Sequence, residues 1–250
     1  MGNRTRICCF FLLLTLAQSK TVKRDVKALN EIKASLGWRV VYQWVGDDPC
    51  GDGDHPPWSG VTCSQLGDYR VVTELNLRWN KLQDVIPSEI GELKKLTHLY
   101  LSFNSLKGEI PRELANLPEL RYLYLHENRL TGKIPPELGT IRNLRYMDVG
   151  NNHLVGTLRE LISREGSFPS LRNLYLSYNK MSGSIPSELA RIPKLTYLYL
   201  DHNFFTGGIS DAFYKHPFLK ELYIEGNQFR PSVKPKGVHK VFEVFDAELF

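Results

Sequence analysis

Cysteine is scarce in this sequence, which excludes a disulfide-dense scaffold. The chain has 250 residues and four cysteines, and two of these lie in an apolar N-terminal run. Only Cys50 and Cys63 remain beyond that run, with twelve residues between them. In an exported chain such a pair predicts one disulfide. Two free thiols or half of a zinc site are the alternatives, although no Cys or His pair with ligand spacing lies nearby. We therefore expect no metal.

The chain also lacks a strong excess of charge. It holds 32 Lys and Arg against 27 Asp and Glu, a formal net charge of +5, and no basic run stands out. Nucleic-acid-binding domains typically cluster many more basic residues, so we expect no nucleic acid partner. No nucleophile motif or cluster of titratable groups occurs either, so we expect neither enzymatic activity nor a cofactor.

Long apolar stretches are absent after residue 19. The one apolar stretch, residues 7–17, follows two arginines and leads to the small residues Ala17 and Ser19. This pattern is typical of a secretory signal peptide cleaved near Ser19. A membrane anchor is the alternative, but the stretch is shorter than the roughly 20 residues that span a bilayer. We expect residues 1–19 to be removed, no membrane span, and a protein secreted to the extracellular space or cell wall.

The sequence is rich in one repeated pattern, LxxLxLxxNxLxGxIPxxLxxLxx, which recurs every 24 residues except in a fourth unit of 27. A fixed period with this motif predicts a leucine-rich repeat solenoid. The expected fold is an α/β repeat solenoid, a right-handed superhelix with a concave parallel β-sheet and an irregular or 3-10 convex side. The predicted units are 72–95, 96–119, 120–143, 144–170, 171–194, 195–218 and a partial 219–230.

Each fixed letter of the repeat has a structural reason. The alternating LxL residues form a short strand with leucines inside and variable residues outside. The asparagine after the strand is expected to tolerate a tight bend and to bond backbone groups with its amide. The GxIP segment is expected to turn the chain along the convex side, as at Gly108–Pro111, Gly132–Pro135 and Gly183–Pro186.

A solenoid exposes an apolar cross-section at each end, so caps are expected. The N-terminal cap is predicted at 20–71. Within it, apolar residues at helical spacing predict a helix that Gly37 stops, and these residues are Val26, Leu29, Ile32 and Leu36. Trp44, Trp58 and the two cysteines would then cover the first coil. Residues 231–250 form either a simple C-terminal cap, which their apolar character favours, or a bare tail. The longer fourth repeat lacks the IP turn and predicts a short lateral helix, either a plain insertion or a second contact site.

The outward strand positions form columns rich in tyrosine. The position between the two inner leucines is tyrosine in five of seven repeats and Asp148 in the irregular one. Interfaces are enriched in tyrosine, which indicates a binding face. Tyrosine also suits strands and stacks across them, so a ladder that only stabilises the sheet is the alternative. The candidate ligand-binding residues are Tyr100, Tyr122, Tyr124, Tyr146, Tyr175, Tyr197, Tyr199, Tyr223, Trp79, Phe103 and Tyr178.

The DPC…WSGVTC segments at Asp48–Cys50 and Trp58–Cys63, with the LxGxIP letters, resemble plant extracellular leucine-rich repeat proteins. The resemblance extends to receptor kinase ectodomains, polygalacturonase-inhibiting proteins and small secreted repeat proteins. It implies a curved solenoid working outside the cell. The sequence departs from the family in the longer gap between its cap cysteines. It also lacks the inhibitors' C-terminal cysteine pair and any N-glycosylation signal beyond Asn3-Arg4-Thr5.

The sequence therefore predicts a secreted, monomeric binding protein that recognises a protein or peptide on its concave face, in plant signalling or defence. A membrane receptor kinase is a candidate partner. Inhibition of a microbial cell-wall-degrading enzyme is one alternative function. A structural, polysaccharide-binding role in the cell wall is the other. Seven strands at about 4.8 Å spacing would offer roughly 29 Å of sheet, enough for an extended peptide of about nine residues.

Overall fold

The computed structural model describes residues 19–36, 44–229 and 243–245. The predicted signal segment apart from Ser19, the predicted helix stop at Gly37 and most of the C-terminal segment lie outside these residues. None of the helices in these ranges has the length and apolar character that a membrane span requires.

A single large sheet runs the length of the described chain. Its nine strands, in spatial order, are Val61–Leu66, Tyr69–Asn76, His98–Tyr100, Tyr122–Tyr124, Tyr146–Asp148, Asn173–Tyr175, Tyr197–Tyr199, Glu221–Tyr223 and Glu243–Phe245. The first two strands pair antiparallel. Every later pairing is parallel and joins each strand to the next along the chain. The predicted parallel sheet is confirmed.

In the main sheet, each strand pairs with the equivalent residues of the next repeat. Tyr122 therefore faces His98 on one side and Tyr146 on the other. One aligned residue in each of the seven repeat strands points inward and is wholly buried, as Leu75, Leu99, Leu123, Met147, Leu174, Leu198 and Leu222. Each such side chain stabilises the fold by roughly 1.5–3 kcal/mol through its removal from water. We call the opposite, outward-facing side of the main sheet the concave face.

The convex side consists of short turns of helix and of two small parallel sheets. Proline precedes each 3-10 helix, since its fixed φ suits the start of a helical turn. These helices are Ser88–Glu92, Arg112–Asn116, Pro136–Thr140 and Ser187–Arg191. The small sheets comprise Lys107–Gly108 with Arg129–Leu130, and Ser182–Ser184 with Phe204–Gly207 and Gln228–Phe229. The predicted 3-10 character of this side is confirmed.

The repeat glycine is required at the convex turn. Gly108 has a φ of +75°, and a Cβ there would lie 2.9 Å from Cγ1 of Val85 in the preceding repeat. The fourth repeat replaces its IP turn by a short α-helix, Leu158–Leu161. The Thr157 hydroxyl accepts from the Glu160 N–H and the Glu160 carboxylate accepts from the Thr157 N–H, so this helix starts at a capping box. A further short α-helix, Asp211–Tyr214, follows in the sixth repeat.

The repeat asparagines form a hydrogen-bonded ladder under the bends. Asn128 donates to the carbonyls of Leu125 and Leu101, each at 3.0 Å, and its Oδ1 accepts from the N–H of Leu106 at 3.0 Å. Each asparagine thus joins its own repeat to the one before it. The predicted bonding role is confirmed for Asn104, Asn128, Asn152, Asn179, Asn203 and Asn227.

The predicted position of the tight bend is wrong by one residue. The residue before each asparagine, and not the asparagine itself, has the left-handed backbone conformation, as at Phe103 with a φ of 57° and Tyr178 with a φ of 55°. The asparagine side chain can bond inward because its neighbour makes the turn. The same turn directs the side chain of that neighbour toward solvent, which explains why Trp79 and Tyr178 are exposed.

The N-terminal cap is built on an α-helix, Lys23–Leu36. The helix buries Leu29, Ile32 and Leu36 as predicted, whereas Val26 is only partly buried. The wholly buried Asp25 instead faces the sheet, and its carboxylate accepts from the N–H of Val72 at 2.9 Å. This bond anchors the helix to the first repeat.

Two tryptophans and a disulfide complete the cap. The Cys50–Cys63 disulfide is present, which confirms the prediction over free thiols or a zinc site. The rings of Trp44 and Trp58 stack at 4.8 Å between centroids. Their indole N–H groups donate to the carbonyls of Ser59 and Val45, so both buried rings are satisfied. At the opposite end, Glu243–Phe245 adds a parallel strand to Glu221–Tyr223.

Candidate functional site

The concave face carries two columns of side chains whose register follows the strand pairing. The first column is Glu74, His98, Tyr122, Tyr146, Asn173, Tyr197 and Glu221. The second is Asn76, Tyr100, Tyr124, Asp148, Tyr175, Tyr199 and Tyr223. Both columns agree with the alignment of repeats in the sequence.

Six tyrosine rings form a continuous series across six strands, which we call the tyrosine stack. Its members are Tyr100, Tyr124, Tyr146, Tyr175, Tyr199 and Tyr223. Successive ring centroids lie 4.9, 4.5, 5.1, 4.6 and 4.2 Å apart. These separations lie within or just below the range of favourable aromatic pairs, each worth about 0.5–1.5 kcal/mol beyond burial. The rings therefore brace the sheet and also present a long aromatic surface.

The stack changes columns where the tyrosine column is interrupted. Asp148 occupies the tyrosine position of the fourth repeat, and Tyr146 of the neighbouring column supplies the ring that touches both Tyr124 and Tyr175. The interruption visible in the sequence is thus bridged in the fold. The carboxylate of Asp148 accepts from the Gly150 N–H at 3.0 Å.

His126 completes the polar centre of the face. Its Nδ1 lies 3.1 Å from Oδ2 of Asp148, and both side chains are largely buried. Nδ1 of His126 forms no hydrogen bond with any described residue, so its approach to Asp148 is a close polar contact. The ring of His126 also meets Phe103 edge to face at 5.0 Å.

The remaining predicted tyrosines behave differently from one another. Tyr122 stacks on His98 at 4.6 Å and lies 6.4 Å from Tyr146, so it extends the aromatic surface sideways. Tyr197 stacks on no other aromatic ring of the described residues. Its predicted place in the site rests on its position in the column alone.

Exposed aromatic pairs flank the stack on the edge where the strands end. Trp79 and Phe103 stack with centroids 3.9 Å apart, and Trp79 is 70% exposed. Tyr178 and His202 stack at 4.2 Å, and Tyr178 is 54% exposed. Both pairs join residues of left-handed backbone conformation in adjacent repeats. The predicted residues Trp79, Phe103 and Tyr178 thus border the same face.

Arg78 was not among the predicted site residues, although its column was visible in the sequence. Its guanidinium carbon lies 4.9 Å from the ring centroid of Tyr100 and 5.1 Å from that of Tyr124. Its Nε donates to the hydroxyl of the buried Ser102 at 2.9 Å. The two contacts fix a cation over the N-terminal end of the stack.

Five of the six phenols of the stack remain uncharged at neutral pH. Partial burial raises the pKa of five of them above the ordinary value of 10.0, those of Tyr100, Tyr124, Tyr146, Tyr175 and Tyr199. Donation of the Tyr199 hydroxyl to Glu221 at 2.6 Å raises the pKa of Tyr199 further. Asn173 donates to the Tyr175 hydroxyl at 3.0 Å. Across the described ranges, no group of three His, Cys, Asp or Glu side chains could hold a metal ion.

Two family models match the chain. The leucine rich repeat model matches residues 70–130 and 142–205, and the leucine rich repeat N-terminal domain model matches residues 22–64. A search of curated proteins gave no match.

Solved structures of plant proteins are similar to the chain. The ectodomain of the Arabidopsis thaliana membrane receptor kinase GASSHO1/SCHENGEN3, in complex with CASPARIAN STRIP INTEGRITY FACTOR 2, is 31% identical with a TM-score of 0.74. The match covers 85% of this chain and 25% of that one. The plant peptide hormone receptor RGFR1, in complex with RGF2, is 37% identical with a TM-score of 0.56 over 60% of this chain and 24% of that one.

A third similar structure is a plant ice-binding protein. It is 27% identical, with a TM-score of 0.61, over 84% of this chain and 73% of that one. The chain thus spans about a quarter of the two receptor ectodomains and most of the ice-binding protein.

Proposed function

The chain belongs to the leucine-rich repeat family, and from that premise we propose that it binds a peptide or protein on its concave face outside the plant cell. The family is typically one of non-catalytic binding modules, and the fold is similar to plant peptide-receptor ectodomains. The disulfide and the N-terminal domain of extracellular type support an extracellular location. The proposed context is signalling or defence, with the protein secreted as a monomer and a membrane receptor kinase as a candidate partner.

The observation that carries the proposal is the tyrosine stack together with its exposed flanks. A stack that only braced the sheet would need no large aromatic side chains in solvent beside it. Trp79 at 70% exposure and Tyr178 at 54% make such a surface. Exposed aromatic patches on a folded protein mark interaction sites, and Trp and Tyr dominate binding energy at interfaces.

The rigidity of the face supports recognition without rearrangement. Neighbouring rings and the strand ladder hold each tyrosine in place, so little conformational entropy would be lost on binding. The raised pKa values keep five of the phenols protonated at neutral pH, so each of these places a neutral hydroxyl at the edge of an apolar ring. The ligand contacts proposed for the stack are therefore aromatic packing and hydrogen bonds to the hydroxyls.

The class of ligand is proposed by analogy with the two similar receptors. One is in complex with CASPARIAN STRIP INTEGRITY FACTOR 2, and the other is a peptide hormone receptor in complex with RGF2. Because this chain spans about a quarter of each, only the class of ligand is proposed by analogy.

Affinity capture from plant extracellular fluid tests the proposal. The full chain, made in a secretory host, serves as bait beside the variant Y100A/Y124A/Y199A. Because interface aromatics are frequent hot spots, we expect the variant to capture about tenfold less of the partner or none. Far-UV circular dichroism checks that both baits are folded.

A matched control removes three exposed aromatic residues that belong neither to the tyrosine stack nor to its flanking pairs. Tyr69, Phe204 and Phe218 are 56%, 49% and 56% exposed, and Y69A/F204A/F218A should capture as much partner as the native chain. Equal capture by all three baits would refute the concave site and leave the stack as a sheet brace. Capture of nothing by the native chain would favour the wall-structural alternative, and polysaccharide binding would then be measured.

A further inference from the structure

Three arginines lie side by side where the strands of the main sheet begin. Arg121, Arg145 and Arg172 each occupy the residue before the strand in consecutive repeats, and all three are exposed. The N–H of Arg145 donates to the carbonyl of Arg121 at 2.9 Å, and the N–H of Arg172 donates to that of Arg145 at 2.8 Å. This backbone pairing fixes the three residues in one row, which we call the arginine column.

The fold does not require arginine at this position. The equivalent residues in the other four repeats are Thr73, Thr97, Thr196 and Lys220. The hydroxyl of Thr97 donates to the carbonyl of Thr73 at 2.9 Å, so a short polar side chain is well accommodated. Arginine is thus confined to three consecutive repeats at the middle of the solenoid.

No acidic side chain of the described residues forms an ion pair with any of the three guanidinium groups. Glu119 lies near the start of the same row but pairs with Lys95 at 3.6 Å. Like charges in facing positions of adjacent strands destabilise a sheet. A row of three therefore carries a cost that a bound anion would relieve.

We propose that the arginine column binds the acidic residues of an extended polypeptide ligand. The inference deepens the proposed function and rests on it, since it names the charge of the segment that would lie beside the tyrosine stack. Strand spacing separates the first and third arginines by roughly 10 Å. Alternate side chains of an extended peptide are about 7 Å apart, so two or three carboxylates within five residues could reach the column.

The charges on the rest of the face favour a polypeptide over an anionic polysaccharide. Asp201, Glu221 and Glu225 lie on the strands or strand ends toward the C-terminal repeats. A polymer with uniform negative charge lying across the sheet would meet these carboxylates. A polypeptide can carry its acidic residues only where they meet the arginines, next to Tyr122 and Tyr146.

The test measures fluorescence anisotropy with a defined probe. The probe is a labelled peptide of about twelve residues in which Glu alternates with Ser, and Lys replaces Glu in the sign control. At about 0.05 M salt we expect the native chain to bind the acidic probe and not the basic one, with binding lost near 0.5 M salt. Because three exposed charge pairs would be lost together, R121Q/R145Q/R172Q should weaken binding about tenfold.

Two further variants distinguish the effect of the position of the arginines on probe binding from the effect of net charge. K81Q/R129Q/K180Q removes three exposed cations that each follow a repeat asparagine, and it should bind within about twofold of the native chain since distant charges are screened. R121K/R145K/R172K keeps the charge and should retain most of the affinity, which also controls for folding.

Several results would overturn the inference. The first is that the native chain does not bind the acidic probe. The second is that R121Q/R145Q/R172Q and K81Q/R129Q/K180Q lose affinity for this probe to the same extent. An oligogalacturonate that binds the column about tenfold more tightly than the peptide would reassign it to polysaccharide. The probe has no aromatic residue, so failure here with intact tyrosine-dependent capture would refute the charge assignment alone. Failure of capture would refute the proposed function itself.

Discussion

Replacing Asn152 by alanine is expected to lower the free energy of unfolding by about 3–5 kcal/mol, because several buried backbone groups would lose their partner together. Asn152 is 5% exposed. Its amide donates to the carbonyls of Leu125 and Val149, each at 3.1 Å, and its Oδ1 accepts from the N–H of Leu130 at 2.9 Å. Alanine supplies none of these bonds, and water does not reach them. Urea unfolding followed by circular dichroism measures the loss.

Asn80 provides the matched control within the same ladder. It stands in the first repeat and is exposed, and its amide donates only to the Arg78 carbonyl at 2.8 Å. We expect N80A to cost no more than about 1 kcal/mol, the net value of one ordinary hydrogen bond. If N152A and N80A lowered the free energy of unfolding by the same small amount, the asparagine ladder would not be the element that joins the repeats.

Removing the cap disulfide should be the second large effect. The bond closes a loop between residues 13 apart in sequence, for which chain entropy predicts a loss of about 3 kcal/mol. Repeat proteins transmit stability mainly between neighbours. We therefore expect C50A/C63A to speed hydrogen exchange in Val61–Leu66 and Tyr69–Asn76 but to leave Tyr122–Tyr124 and Tyr197–Tyr199 protected.

Native protein whose disulfide has been reduced and alkylated serves as the comparison for the disulfide variant. It removes the same bond without shortening the side chains to alanine. Both samples should open the cap and preserve the central strands. Loss of protection along the whole sheet would contradict the nearest-neighbour behaviour and would make the cap the nucleus of the entire solenoid.

Most of the fold could be predicted from the sequence because the repeat length determines which residues of neighbouring strands pair. The spacing of 24 residues places Tyr100 opposite Tyr124, and the structure pairs them in that register. The capping disulfide followed from the two remaining cysteines. The irregular repeat predicted a short lateral helix, which the structure contains as Leu158–Leu161.

The details of the site could not be predicted, because they depend on side-chain directions and not on spacing. The column alone indicated a break at Asp148, whereas the ring of Tyr146 crosses from the neighbouring column to fill it. The contact between His126 and Asp148 joins residues of different columns in adjacent repeats. A repeat alignment places such residues near each other but does not determine which pairs meet.

The same architecture serves different functions, so the residues on the face must carry the specificity. Receptor ectodomains in complex with CASPARIAN STRIP INTEGRITY FACTOR 2 and RGF2, and a plant ice-binding protein, are all similar to this chain. In this chain the leucines, asparagines and glycines of the repeat build the solenoid. On this chain the face carries a row of six tyrosine rings, with an arginine column along one edge.

Hydroxyl-radical footprinting of the native chain, free and bound to its captured partner, tests the central claim most directly. Oxidation should fall several-fold on the strands that carry Tyr100, Tyr124, Tyr175 and Tyr199, because a ligand on the concave face would exclude solvent from their rings. Tyr69, 56% exposed on the terminal hairpin, should oxidise at the same rate in both samples. Unchanged oxidation of the stack in a saturated complex would contradict the account and place the binding site elsewhere on the molecule.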